Sequence, residues 1–382
     1  MNNSIRPFSV LVKGLLVFLA INLLYAWIDP SPASFSLVNR LLPGFERFPA
    51  IRIPITKPDG NIGVQTSLIP DLDTIFAAHE IAGQPKAADE YRVVFLGDSS
   101  MWGSGLAVEQ TLVGIINQSG LETCTGQKVR AYNLGYPTNS VMKDLLILAR
   151  ADAYSSDMFV WTFSLQAFLP ERQNILVDDN RADYQSLILR YNLKTTYKPE
   201  AATTGPDFWD KTIWGQRNRL GLQVQIQGFA LSRFFFGTDD IRSSASEDED
   251  MVRRLPGPAT KYFSYQQTDN LFKDHWLIPF DTIRAARKIA DGRPLLLVNE
   301  PIYIATGENS DIRYNWIYPR WAFDQYRIFM EAQAAEKKWN YHDFWDILPQ
   351  PEFLDTVFHR NAQGNGHFAE MLIPLILENS CK

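Results

Sequence analysis

The chain is short of cysteine, of excess basic charge and of repetition. Its two cysteines, Cys124 and Cys381, match no zinc or thiol-redox spacing, which removes the metal-finger and thioredoxin-like classes. They stand either as separate packing thiols or as one disulfide pinning the C-terminus, and the second option needs an oxidising compartment. With 37 Lys and Arg against 43 Asp and Glu, the net charge is -6. The basic footprint that neutralises phosphates is missing, so nucleic acid is set aside as a partner. No motif calls for a cofactor or a metal, and there are no internal repeats. What the chain does have is apolar mass. Hydrophobic residues make up 46% and aromatics 13% of its 382 residues, enough to pack one large α/β domain or two smaller ones and too much for general disorder.

One apolar run is long. Residues 10–28 carry only Lys13 and Asn22 as polar interruptions, and about 19 residues at a 1.5 Å rise cross roughly 28 Å of hydrocarbon. Arg6 and Lys13 precede or open the run, Tyr25 and Trp27 sit where an interfacial aromatic belt belongs, and Asp29 follows directly. This favours a single-pass anchor with the N-terminus cytoplasmic and the bulk of the chain extracytoplasmic. A cleaved signal peptide competes, but Trp27-Ile28-Asp29-Pro30 has no small-x-small cleavage site. The expected organisation is a cytoplasmic tip and transmembrane anchor at 1–29, a proline-rich membrane-proximal stalk at 30–86, and a catalytic domain at 87–382.

Within that domain, strands are expected at 92–96, 129–134, 158–163, 294–298 and 339–344. Helical patterns fall between them at 108–118, 140–153, 282–290 and 322–337. Strands alternating with helices mean βαβ units and a mostly parallel sheet covered on both faces. An insertion at about 169–276 is too long for a plain loop. Its apolar stretch at 213–236, partly at helical and partly at strand spacing, is expected to cover the active-site mouth, to face the bilayer or simply to pack, and 243–261 to form a polar surface loop.

The chemistry-bearing blocks come in a fixed order. A Gly-Asp-Ser tripeptide is common in turns, but Gly97-Asp98-Ser99 directly follows a buried strand, at the end where α/β sheets bind ligands. Gly97 is expected to permit the turn that exposes Ser99, with Ser100 as the neighbouring hydroxyl. Gly135 ends the second strand, where a glycine N–H can approach a developing oxyanion, and Gln166 ends the third with an amide donor. The short helix from Ser100 onward is expected to aim its dipole at the nucleophile. Near the C-terminus Asp355 and His359 precede a helix that runs through Phe368, Leu372 and Ile376. Of the five histidines, His359 is the best placed base, oriented by Asp355, with Asp343 and Asp346 as alternative acids. His367 reads as structural, and His79, His275 and His342 lie outside the motif frame.

Taken in order, these blocks resemble the SGNH or GDSL hydrolase superfamily over roughly residues 90–380. The resemblance implies a three-layer flavodoxin-like α/β fold with a mostly parallel sheet, joined here to one N-terminal transmembrane helix. It implies Ser99 as nucleophile, His359 as general base and Asp355 as orienting acid, with an oxyanion hole from the N–H of Ser99, the N–H of Gly135 and the side chain of Gln166. Two blocks depart from the family pattern. Ser164-Leu165-Gln166-Ala167 replaces the usual Gly-x-Asn-Asp, and the acid stands four rather than three residues before the histidine. The expected activity is that of a membrane-anchored serine esterase or O-acyltransferase acting through an acyl-serine on ester-linked groups of envelope glycans or lipids. The resemblance extends to a membrane-bound acyltransferase as acyl-donor partner. The rival expectation is a catalytically weak protein that keeps the fold for carbohydrate binding or envelope assembly.

Overall fold

The computed structural model describes residues 7–56, 62–83, 85–194, 197, 208–237, 267–272, 280–307, 309–315, 317–355 and 357–381, by backbone alone at 52–55 and 62–66. The polar stretch expected at 243–261 and His275 lie outside the described residues. The chain divides into two compact units. One draws on Met1–Gly44, Pro49–Gly83 and Glu200–Phe236, the other on Phe45–Phe48, Gln84–Pro199 and Gly237–Lys382.

The first unit holds helix α1 (Pro7–Ile28), a hairpin of β1 (Ala50–Thr56) and β2 (Ile62–Leu68), and helix α2 (Leu72–Ala78). By length and composition α1 could cross a membrane, with a mean hydropathy of 2.1. The hairpin falls within the stretch expected to form the proline-rich membrane-proximal stalk. Positions 51, 53 and 55, all isoleucine, pair in antiparallel register with positions 67, 65 and 63, an alternation of period two in the sequence that proline at 54 obscures.

The second unit is built on β3 (Glu90–Leu96), β4 (Lys128–Asn133), β5 (Met158–Phe163), β6 (Leu295–Asn299) and β7 (Asn340–Asp343). All pairings are parallel and the spatial order is β4-β3-β5-β6-β7. Counted within the sheet this is 2-1-3-4-5, the flavodoxin-like order, whose switch point lies between the first and third strands. The three interior strands are buried along their whole length, while β4 alternates and β7 is half-buried, as edges do.

Helices cover both faces. On one side, α4 (Leu112–Gln118) and the last helix, Ala362–Ser380, pack Leu112, Ile116, Phe368 and Leu372 onto Val93, Phe95, Ala131 and Val160. On the other, α5 (Val141–Ala151) lies beside the helix at Phe280–Ala290, and Asp144 of α5 accepts from Trp161 Nε1 of β5 at 3.0 Å. The helical pattern expected at 108–118 is split: Val108–Gln110 forms a 3-10 turn, and Thr111 caps α4 by accepting from Gly114 N–H. Chain order runs on through α3 (Ser99–Trp102), α6 (Arg181–Tyr191), α7 (Arg217–Phe236), α8 (Phe280–Ala290), α9 (Arg320–Lys337) and α10 (Ala362–Ser380).

Cys124 and Cys381 form a disulfide, with a Cα–Cα distance of 5.7 Å across 257 residues of sequence. It ties the end of α10 to the turn before β4. Replacing Cys381 by Ser, or reducing the native protein, is expected to lower the unfolding free energy by about 2–5 kcal/mol. Urea titration reads this as a lower midpoint, and an unchanged midpoint would refute the contribution.

Candidate active site

Gly97 follows β3 at a point of close approach. A Cβ there would meet Thr162 Oγ1 at 2.4 Å and Met101 Cβ at 2.9 Å. The glycine is needed because β5 lies so near, not for a left-handed turn, since its φ is not positive. Asp98 then caps the next turn, Oδ1 accepting from Ser100 N–H at 2.8 Å. This makes Ser99 the first residue of α3. Ser99 is half-buried, whereas Ser100 is buried with its hydroxyl unpartnered. The helix is a single turn, ended by Gly103 at φ 83°, so the dipole expected from Ser100 onward reduces to the N–H groups of that turn. Its far end is braced by the segment Phe45–Phe48, where Trp102 Nε1 donates to Phe48 O and the Arg47 guanidinium lies over the Trp102 ring.

Beneath the turn sits a buried cation. Lys143, fully buried on α5, donates to Gly97 O at 2.7 Å and Tyr136 O at 3.2 Å and pairs with Asp144 at 2.5 Å. A second contact on Gly97 O is the Tyr136 N–H at 3.0 Å. The carbonyl that precedes Asp98 is therefore held from two directions.

The histidine arrives from the far end of the chain. His359 Nε2 lies 2.8 Å from Ser99 Oγ, across 260 residues of sequence, and its Nδ1 contacts Asp355 Oδ2. Asp355 Oδ1 also accepts the backbone N–H groups of Val357 at 2.9 Å, Phe358 at 3.1 Å and His359 at 3.1 Å. The extra residue between acid and histidine is taken up in this turn, which the carboxylate itself closes. Asp343 lies elsewhere, bound to Arg327 and Asn299, and Asp346 is exposed. Among the other histidines, His367 contacts Glu352 at 2.8 Å, His79 accepts from Ile81 N–H, and His342 contacts Asn340.

The loop carrying His359 is clamped by its neighbour. Arg360 NH1 donates to Glu300 Oε2 at 3.0 Å, with both side chains fully buried. Arg360 Nε donates to Asn365 Oδ1, and the guanidinium stacks over Phe368. Burial opposes the imidazolium of His359, but Asp355, then Asp98 and Glu300, outweigh it and hold its pKa above the ordinary histidine value. Asp355 is pushed up by burial and pulled down further by His359 and the backbone donors, so it lies below the usual carboxylate range. Asp98 is shifted upward by burial and by Glu300.

The two remaining expected donors are differently placed. Gly135 packs against α3 so closely that a Cβ would meet Trp102 N at 2.5 Å, and its N–H donates to Asn133 Oδ1 at 3.0 Å. Gln166, in the 3-10 turn Leu165–Phe168 after β5, is buried. Its Oε1 accepts from Asn139 Nδ2 at 3.4 Å, and its Nε2 has no hydrogen-bond partner. An open cleft of about 550 Å³ borders the His359 loop, lined in part by Gly105, Leu106, Gln110, Leu354 and Asn361. Among the described residues no group of three His, Cys, Asp or Glu side chains is disposed to hold a metal ion.

Lys143, Asn139, Glu300 and Arg360 were not singled out from the sequence. One signal was available for Lys143, the Lys143-Asp144 pair that interrupts the otherwise apolar run from Val141 to Leu148. Arg360 and Glu300 gave none, because their pairing spans 60 residues and two secondary elements.

No family model matches the sequence, and no curated protein does. Among solved structures, the chain is similar to a member of the lipolytic protein G-D-S-L family from Veillonella parvula at 12% identity and a TM-score of 0.35, over 74% of this chain and 97% of that one. It is also similar to a carbohydrate acetylesterase family member from Sinorhizobium meliloti at 11% identity and a TM-score of 0.34, over 76% and 98%. The fold assignment rests on the strand order and its switch point.

Arg360→Met leaves the Glu300 carboxylate buried without its partner. It is expected to destabilise the protein by about 3–5 kcal/mol, measured by denaturant unfolding. A loss below about 1 kcal/mol would mean that the clamp contributes little to the loop.

Proposed function

We propose that the chain is a membrane-anchored serine esterase or O-acyltransferase of the cell envelope, with Ser99, His359 and Asp355 as its catalytic residues. The observation that carries this reading is the continuous contact chain from Asp355 through His359 to Ser99 Oγ, at the switch point of the sheet. Three residues drawn from two distant parts of the sequence meet there in the order that nucleophilic catalysis requires.

In the first half-reaction Ser99 Oγ attacks the acyl carbonyl while His359 Nε2 takes its proton. Asp355 holds the Nδ1–H tautomer and stabilises the imidazolium. The tetrahedral intermediate collapses as His359 returns the proton to the leaving alcohol, leaving acyl-Ser99. Water or an acceptor hydroxyl, deprotonated by the same nitrogen, then takes the acyl group. The negative oxygen of each intermediate is assigned to the Ser99 N–H and to Gln166 Nε2, whose buried N–H group lacks an acceptor of its own. Gly135 is a weaker candidate, because Asn133 already occupies its N–H.

The envelope assignment draws on α1, on the Cys124–Cys381 disulfide, which suits an oxidising compartment, and on the resemblance stated above. Ester-linked groups on glycans or lipids near the membrane are the proposed substrates, with a membrane-bound acyltransferase as donor partner in the transferase case. The rival reading, a catalytically weak binding or assembly protein, is favoured by the occupied Gly135 N–H.

A fluorophosphonate probe separates the two readings. Ser99 of the folded protein is expected to be labelled, and Ser99→Ala to lower ester turnover by about a thousandfold or more at unchanged stability. Absence of labelling would leave the binding protein. The pH profile gives a second check. His359 must be neutral to accept the proton, and its pKa is raised, so activity is lost as pH falls through a value above the ordinary histidine pKa of about 6.5. The acid limb of kcat/KM should therefore have its midpoint above that value and move down in Asp355→Asn; a midpoint below it would contradict the assignment of His359 as base.

A further inference from the structure

Helix α7 turns its apolar side outward. Its buried side is Gln223, Ile226 and Ala230, with Gln223 Nε2 donating to Thr74 Oγ1 at 2.8 Å. Val224, Gly228, Leu231 and Phe235 recur at spacings of four, three and four, so they form one stripe along the helix. That stripe is exposed, Val224 to 68%, Leu231 to 40% and Phe235 to 69%. The helix ends in Phe234, Phe235 and Phe236, all exposed. Leaving such side chains in water forgoes about 1.5–3 kcal/mol for each one that could be buried, and monomeric soluble proteins rarely present a contiguous patch of this kind.

The residues that lead into α7 are fastened to the carboxyl-terminal end of α1. Trp214 N–H donates to Asn22 Oδ1 at 3.1 Å, Lys211 Nζ pairs with Asp29 at 2.5 Å, and Tyr25 OH reaches Gln216 Oε1 at 3.4 Å. Asn22 stands six residues before the last residue of α1, Ile28, about 9 Å along the axis. If α1 crosses the bilayer, Trp214 is held at the depth of the headgroups and upper acyl chains. Trp27, Trp209 and Trp214 are exposed at this level, as interfacial anchors are.

We propose that residues 209–214 and helix α7 form a monotopic interfacial element, lying in the same bilayer that α1 crosses, with the Val224–Gly228–Leu231–Phe235 stripe against phospholipid. The proposal rests on the anchor reading of α1. The occupant is lipid because the segment that leads into α7 is fastened, through three bonded contacts, to a helix whose own surface is apolar and outward.

Both native cysteines are disulfide-bonded, so an introduced cysteine is the reactive one. In the test, the full-length chain is labelled with an environment-sensitive fluorophore at Leu231→Cys, Phe235→Cys or, within α1, Leu19→Cys. Each is reconstituted in phosphatidylcholine nanodiscs with doxyl-labelled lipid, after circular dichroism and melting have matched it to the parent. Labels at 231 and 235 are expected to be quenched about twofold or more by shallow doxyl-lipid and shielded from aqueous iodide. Quenching at 19 by deep doxyl-lipid without quenching at 231 and 235 overturns the interfacial element and leaves the anchor standing. Iodide shielding at 231 and 235 without lipid quenching assigns the stripe to a protein partner, which also overturns the proposal. No lipid quenching at any of the three positions overturns the anchor reading and this proposal together.

Discussion

The buried pair between Glu300 and Arg360 is the constraint on which the candidate site depends. It joins the carboxyl end of β6 to the residue next to His359, and both side chains are fully withdrawn from water. A buried ion pair is a poor source of net stability, because desolvation offsets most of the Coulomb attraction. Its value lies in specificity of geometry. The guanidinium has one arrangement that serves Glu300, Asn365 and the face of Phe368 together, and that arrangement sets where the imidazole of the preceding residue, His359, points. With the loop fixed from below, the Asp355 carboxylate closes its turn from above through three backbone N–H groups.

The serine side is held in the same manner. Lys143 and the Tyr136 N–H secure the Gly97 carbonyl, Asp98 caps the turn that begins at Ser99, and Gly97 and Gly135 let β5 and α3 approach more closely than a Cβ would permit. The proposed nucleophile and base thus ride on short backbone segments whose polar atoms are occupied by buried partners, which is the preorganisation that the proposed proton transfer over one hydrogen bond requires. The same buried carboxylates set the electrostatics. Asp355, Asp98 and Glu300 all favour the imidazolium that His359 becomes when it takes the serine proton, so the field that raises its pKa also stabilises the charge formed in the proposed reaction.

Much of this fold is legible in the chain because parallel strands buried on both faces need unbroken apolar runs. Interior β3, β5 and β6 meet that need and lie where those runs predict, while the edge strand β7 is shorter than expected. The first unit was less legible. Its hairpin is short and interrupted by proline, and α7 mixes glutamine with apolar residues because its buried side includes Gln223 and its exposed side carries the stripe. A pattern that assumes apolar residues face inward reads such a helix wrongly.

By itself the sequence determined the order of the chemical blocks and the strand after which Ser99 falls, and it offered His359 as candidate base with Asp355, Asp343 and Asp346 as candidate acids, since these follow from local periodicity and residue type. It left the cysteines open and gave Gly97 a reason that the structure replaces. Only the tertiary structure decided that Cys124 meets Cys381, that Asn133 takes the Gly135 N–H, and that Asp355 reaches His359 across a four-residue offset. It alone decided that Glu300 and Lys143 lie buried under the site. The physical reason is the same in each case: these contacts join residues whose relative position is set by how the strands pack, and no local pattern encodes the distance between the ends of two strands.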